Sequence, residues 1–330
     1  MYQYTVVQWL FFFYFYCFAG WCIESSYVSI RTKKLTNRGF MRGPFLPLYG
    51  SGGIMMLVVS MPFQDSIIKT YLAGCVGATV LEYITGVTME ALFKVRYWDY
   101  SNQKFNFQGH ICLKTTLSWG GLTILMTEIV HVPVENLVLS IPGRILTLVT
   151  WILTVLLAAD FALSFKAAID LRNILLKMEQ AKLELIRIQK SLDAIFSSAN
   201  AGWENYKEEW ENRKEEWKEG WNEGIHAKKD AIAEGLSVRI EDLKSGIEGK
   251  LTGIKNAIQT KPTEYLESVK EELIELKTKY AVNVENRKQL SGLRDFFQGD
   301  MLRSNPGMTS VRFKEALEEL KKNAFNKKQK

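Results

Sequence analysis

The stretch PGRILTLVTWILTVLLAADFALSF, residues 142–165, decides the fold class. Its only charges are Arg144 and Asp160. As a helix it rises about 36 Å, enough to cross roughly 30 Å of hydrocarbon. No turn signal follows it. Apolar residues continue at Leu171, Ile174, Met178, Ala181, Leu185, Ile188, Leu192 and Ile195, in alternating steps of three and four. That spacing is a coiled-coil seam running directly on from the apolar helix. The chain is therefore expected to be all-α, with a polytopic membrane helix bundle in its first half and a charged, helical coiled-coil tail in its second.

Working back toward the N-terminus, further apolar runs at about 5–29, 44–62, 66–93 and 111–130 bring the expected spans to about five. Pro44, Pro62, Pro133 and Pro142 fall at or near their ends, where a missing amide hydrogen costs least. Averages conceal this division, since 330 residues at 47% hydrophobic and net charge +6 would also suit a soluble protein. The first 30 residues hold no Lys or Arg, so a basic signal-peptide n-region is missing and the first span should stay attached. Arg31, Lys33, Lys34, Arg38 and Arg42 follow that span, and Lys94, Arg96 and Lys104 follow the third. The connections at 63–66 and 131–143 carry acids without Lys or Arg. Positive-inside bias then places the N-terminus outside and the tail in the cytoplasm. The basic excess reads as topology rather than as a nucleic-acid surface, and in the tail it is mixed with too many acids for a nucleic-acid stripe.

Charges inside the spans carry the functional information, because each costs several kcal/mol in hydrocarbon unless paired, hydrated or neutralised. Glu24, Glu90, Lys114 and Asp160 fall near one level at the cytoplasmic ends of four spans, beside Arg42 and Asp99. Glu82 sits two turns deeper, on the face shared by Gly86 and Glu90. Two readings stay open. These residues form interhelical ion pairs and snorkelling side chains, or they line a polar vestibule that binds a hydrophilic or anionic group with Glu82 at its floor. The candidate binding residues are Glu24, Arg38, Arg42, Glu82, Glu90, Asp99 and Lys114. Ala73, Gly74, Gly77 and Ala78 form small pairs four apart and place the third span at the centre of the bundle. The run Tyr49 to Gly53 reads as close packing in preference to a broken helix. Cys17, Cys22, Cys75 and Cys112 lack metal-ligand spacing and read as buried free thiols, while His110, His131 and His226 are too scattered for a metal site.

In the tail, Ser197–Gly202 interrupts the seam and Trp203, Trp210 and Trp217 then recur every seven residues, a stripe best suited to packing against another helix. Leu236, Ile240, Leu243, Ile247, Leu251, Ile254 and Ile258 form a second seam, which Pro262 ends. Helices are expected over about 265–285 and 311–323. The domains are read as 1–165, 166–290 and 291–330. A seam over 171–258 requires a cover, supplied by self-association, by a helical partner or by a later helix folding back.

Six motifs occur in order: Gly20-Trp21-Cys22-Ile23-Glu24-Ser25, Asn37-Arg38-Gly39-Phe40 leading to Gly43-Pro44-Phe45, Leu81-Glu82-Tyr83-Ile84-Thr85-Gly86, Glu90-Ala91-Leu92-Phe93, Tyr97-Trp98-Asp99-Tyr100-Ser101 and Ile111-Cys112-Leu113. In sequence and spacing they resemble the bacterial ABC-transporter type IV permease family over about residues 8–165. Asn305-Pro306-Gly307-Met308, Arg312-Phe313 and 315–321 resemble that family's C-terminal end, and about 200–290 resembles nothing in it. The resemblance implies a multi-pass plasma-membrane protein acting in transport, with no cofactor of its own. His110 stands where members usually carry Arg, which implies a weaker or pH-sensitive contact at that point. No Walker-A run occurs, so ATP hydrolysis would need a separate ATP-binding subunit. Nucleophile elbow, HExxH and dinucleotide fingerprints are missing too, and a non-enzyme is expected. Three classes remain: a permease using the charged level, a membrane-anchored scaffold using the seam, and, least favoured, a lipid-acting enzyme using the acids.

Overall fold

The computed structural model describes residues 4–201, 239–258, 263–292 and 296–326. Helix α1 (Val6–Thr32) opens on a capping box in which Thr5 and Gln8 satisfy each other's backbone amides. Helix α2 (Pro47–Ser60) starts on proline, whose missing N–H would be an orphan there anyway, and runs into a 3₁₀ turn at Met61–Phe63. Then come α3 (Ile67–Phe93), a hairpin of β1 (Asn106–Phe107) and β2 (Ile111–Cys112), α4 (Leu113–Leu125), α5 (His131–Ser140) and α6 (Gly143–Ala201). Beyond these lie α7 (Ile240–Ile258), α8 (Thr263–Ser291), α9 (Phe296–Ser304) and α10 (Lys314–Asn326).

An all-α membrane bundle is what these helices form, although the spans differ from expectation. Four are long and apolar enough to cross a bilayer: Val6–Thr32, Ile67–Phe93, Leu113–Ser140 and Gly143–Ile195. The expected second span, Pro47–Phe63, is a shorter apolar helix of about 25 Å. The expected fourth span does not end at residue 130. A π turn at Met126–Val130 links α4 to α5, and its wider hydrogen bonding carries the helix past Pro133, where a regular α-helix would lose a bond.

Consecutive helices pack as neighbours, α1 on α2, α2 on α3 and α3 on α4. Gly74 of α3 lies hard against Thr123 of α4, and Gly77 against Val59 of α2, so small residues do place α3 between two partners. The glycine-rich start of α2 is an unbroken helix, with Gly50 and Gly53 buried against α1. Leu148, Trp151, Val155 and Leu156 on α6 are exposed, as side chains facing lipid must be.

By internal contacts the chain divides into one unit of Met1–Asn173 with Asp295–Lys330 and a second of Ile174–Arg294. In the second, the α6 seam residues Leu185, Ile188, Leu192 and Ile195 are buried with Ile240, Leu243 and Ile247 of α7 and Leu276 of α8. Two buried polar contacts join α6 to α8: Arg287 donates to the Met178 carbonyl at 2.8 Å and Asn283 to Glu184 at 2.5 Å. Later helices of the same chain thus cover this part of the seam. Trp203, Trp210, Trp217 and His226 lie outside the described residues.

Candidate functional site

Glu82 is 5% exposed, and both its carboxylate oxygens are occupied. Tyr100 Oη donates to Oε1 at 3.0 Å and Trp119 Nε1 donates to Oε2 at 2.9 Å. Both donors are neutral, and among the described residues Glu82 makes no ion pair. Their origin explains the depth of the site. Glu82 lies about 16 Å below the end of α3, whereas Trp119 is only about 9 Å inside the start of α4. The 94–112 connection fills that difference in level by folding down to bring Tyr100 onto the carboxylate.

Around this centre the other acids meet arginine, histidine and tyrosine. Glu24 accepts from Tyr49 Oη at 2.6 Å and makes a looser pair with Arg38 at 3.9 Å. One oxygen of Glu90 takes Arg96 Nε at 2.8 Å and His110 Nε2 at 3.1 Å. His110, standing where the family resemblance led to Arg, thus shares Glu90 with a true arginine six residues from it. Arg96 also reaches Asp99 at 3.5 Å. Burial alone would raise the Asp99 pKa, but hydrogen bonds from the Ser101 hydroxyl and amide, from Thr309, and the charge of Arg96 bring it below its ordinary value of 3.8. Tyr100 is pushed up, first by burial and then by the charge and hydrogen bond of Glu82, with Cys112 and Glu24 adding to it. Tyr100 therefore feels both glutamates, Glu82 from α3 and Glu24 from α1. Gly109, at φ +75°, turns the hairpin where a side chain would strike Ser101, Arg96 and Asp99.

Five of the seven candidates, Glu24, Arg38, Glu82, Glu90 and Asp99, join this network directly or through the residues named above. The other two do not. Arg42 donates through its backbone amide to Asp160 at 3.3 Å and through its guanidinium to the Leu163 carbonyl. Asp160 also accepts the Gly43 amide at 2.8 Å, so it fastens the 39–44 turn to α6. Lys114 is exposed, its side chain turned out of the network.

Sequence reasoning missed Tyr49, Tyr100 and Trp119, because neutral aromatic donors carry no charge signal. It also missed a polar stripe on α4 and α5 that was available as spacing: Thr115, Trp119, Thr123, Thr127, His131 and Glu135 recur every four residues. At its far end His131 is fully buried, with Tyr16 at 2.6 Å from Nδ1 and Tyr4 at 3.0 Å from Nε2. Tyr4 also donates its hydroxyl to Glu135 at 2.5 Å, which joins the histidine to that carboxylate.

The motifs that build the network, from Glu24 through Tyr100 to Cys112, all fall within one comparison. Residues 11–165 match the family described as "Putative ABC-transporter type IV". The resemblance seen in the six motifs is thereby borne out over residues 11–165, the part of the chain that holds most of the apolar helices. No curated protein and no solved structure matches the chain.

Proposed function

We propose that this chain is a permease-like subunit of a transport system, inserted in the bacterial plasma membrane with its N-terminus outside and its tail in the cytoplasm, and that the Glu82 network is its solute site at the cytoplasmic end. The observation that carries this reading is the buried Glu82 carboxylate held by neutral donors. A structural carboxylate at that depth is expected to have a cationic partner, since an unpaired buried charge is costly. Glu82 is surrounded instead by groups that can stabilise a carboxylate and still release it. The network has four acids, Glu24, Glu82, Glu90 and Asp99, against Arg38 and Arg96. Its sign favours a cationic or hydroxyl-bearing solute over the anionic group that sequence reasoning also allowed. The basic residues of the 33–46 and 94–112 connections outnumber Lys69 and Arg144 near the opposite end, which supports the orientation. Pro47–Phe63, at the short limit for a span, is the fifth crossing in this reading.

The energy source in this account is a separate ATP-binding subunit. Full-length protein affinity-purified from its native membranes should bring down a polypeptide with a Walker-A sequence. Recovery of the chain with no ATP-binding protein, across mild detergents and crosslinking, would contradict an ABC-type mechanism. The scaffold reading drew on an uncovered seam, and α7 and α8 supply much of that cover.

A further inference from the structure

The C-terminal segment between α9 and α10 belongs to the membrane unit and touches both connections that build the site. Asn305 is 1% exposed. Its side-chain amide donates to the Gly39 carbonyl at 2.8 Å, and its Oδ1 accepts from Arg38 Nη1 at 3.0 Å. Arg38 is the cation facing Glu24. Four residues on, Thr309 pairs antiparallel with Arg96, exchanging both backbone hydrogen bonds at 2.8 and 2.9 Å. The Thr309 hydroxyl donates to Asp99 at 3.1 Å, and Ser310 Oγ donates to the Lys94 carbonyl at 2.8 Å. Arg96 in turn is the cation on Glu90. Met308 is fully buried between these two sets of contacts. A cavity of about 10 Å³ separates the Gly39–Arg42 turn from Asp300–Ser304, room for about one water.

One segment thus fastens the 33–46 connection to the stem of the 94–112 connection. The stem holds Tyr100 over Glu82, and the hairpin beyond it carries Cys112 on β2, paired with Asn106 of β1 and 3% exposed. We propose that residues 304–310 are a latch that closes the mouth of the Glu24–Glu82 site, and that releasing it frees the 94–112 connection to lift from Glu82. This rests on the solute-site reading given above. A closed site held by a detachable segment is what alternating access needs at one face, and Asn305, Thr309 and Ser310 hold the two connections by hydrogen bonds that can be exchanged with water, with Met308 the apolar contact between them. The latch follows the 174–294 unit in the chain, so it also gives that unit a covalent route to the site.

The native thiol of Cys112 supplies a readout independent of transport. Full-length protein in membranes is treated with N-ethylmaleimide, and the rate of Cys112 alkylation is followed by mass spectrometry. Asn305→Ala combined with Thr309→Pro removes the two anchors, the proline because it has no amide to give Arg96. Alkylation should speed up on the order of tenfold, the shift expected when one or two buried hydrogen bonds are lost. The converse variant, Arg96→Cys with Thr309→Cys, uses a pair at hydrogen-bonded register, about 5.5 Å between Cα atoms and within disulfide reach. Oxidised, it should label Cys112 more slowly than when reduced before labelling. Equal alkylation rates in the wild type, the released variant and the oxidised lock would overturn the latch. Loss of the solute-site reading alone would leave these rates as predicted, because none depends on a substrate.

Discussion

Tyr100→Phe deletes one hydroxyl and leaves the ring that covers Glu82 in place. Glu82 then keeps Trp119 at 2.9 Å as its close donor, with the Thr115 hydroxyl beside it, in a site that is 5% exposed. A hydrogen bond to a charged group contributes about 1.5–3 kcal/mol and one to a neutral group about 0.5–1.5 kcal/mol. With Glu82 ionised, the substitution should cost about 2 kcal/mol, which lowers Tm by about 4–8 °C for a unit of this size. Trp119→Phe should cost more, because it removes the second donor and also part of a packed ring. The double variant leaves a buried carboxylate with neither donor, so its loss should exceed the sum of the single losses by about 1 kcal/mol or more. Thermal unfolding of detergent-solubilised protein, followed by intrinsic fluorescence or a thiol dye, measures all three. In a Glu82→Gln background the Tyr100→Phe cost should shrink to the neutral range. Melting of Tyr100→Phe within about 1 °C of wild type, with an additive double variant, would refute the claim that these donors hold an ionised carboxylate.

Three further outcomes follow from other parts of the structure. Leu185 is fully buried in the seam beneath α7 and α8, so Leu185→Ala should cost about 2–5 kcal/mol of the tail's stability, read by circular dichroism melting, with little effect on membrane insertion. The lowered pKa of Asp99 means that its contribution is present above its ordinary 3.8 and fades as pH falls through the lower folded value; the Tm difference between wild type and Asp99→Asn should therefore vanish only at strongly acid pH. Reporters fused after Lys34 or at the C-terminus should read cytoplasm, and one inserted at Ser140 should read exterior; a reversed pattern would move the whole network to the other face of the membrane.

Much of this was legible in the sequence because the bilayer is a simple solvent. The all-α bundle follows from runs such as 142–165, and the central place of α3 from Gly74 and Gly77, since length and small-residue spacing are local properties. Span ends were less legible. Pro133 looked like a stop, but whether a proline breaks a helix depends on backbone bonding three to five residues away, and the π turn at 126–130 has no composition signal. The acids of the site and Arg38 could be named because charge in and beside hydrocarbon stands out, whereas Arg96 was read only as a topology charge. Their pairing could not: Glu90 with Arg96 and His110, or Asn305 with Arg38, depends on a 94–112 connection and a C-terminal segment whose paths are set by tertiary contacts. Lys114 was grouped with the site because helix depth can be counted from a sequence while helix rotation cannot, and Arg42 because the path of the 39–44 turn is set by its tertiary bonds to Asp160.

The central claim is that Glu82 is kept for a solute and not for the fold, and Glu82→Gln tests it most directly. Glutamine keeps the shape and one acceptor, and Tyr100 can turn its hydroxyl to accept from the new amide, so the packing has a way to survive. The measurement is complementation of a deletion strain at matched membrane levels of folded protein, with Tm recorded on the same sample. The account predicts near-normal insertion and melting with function lost. Full complementation at unchanged Tm would contradict it.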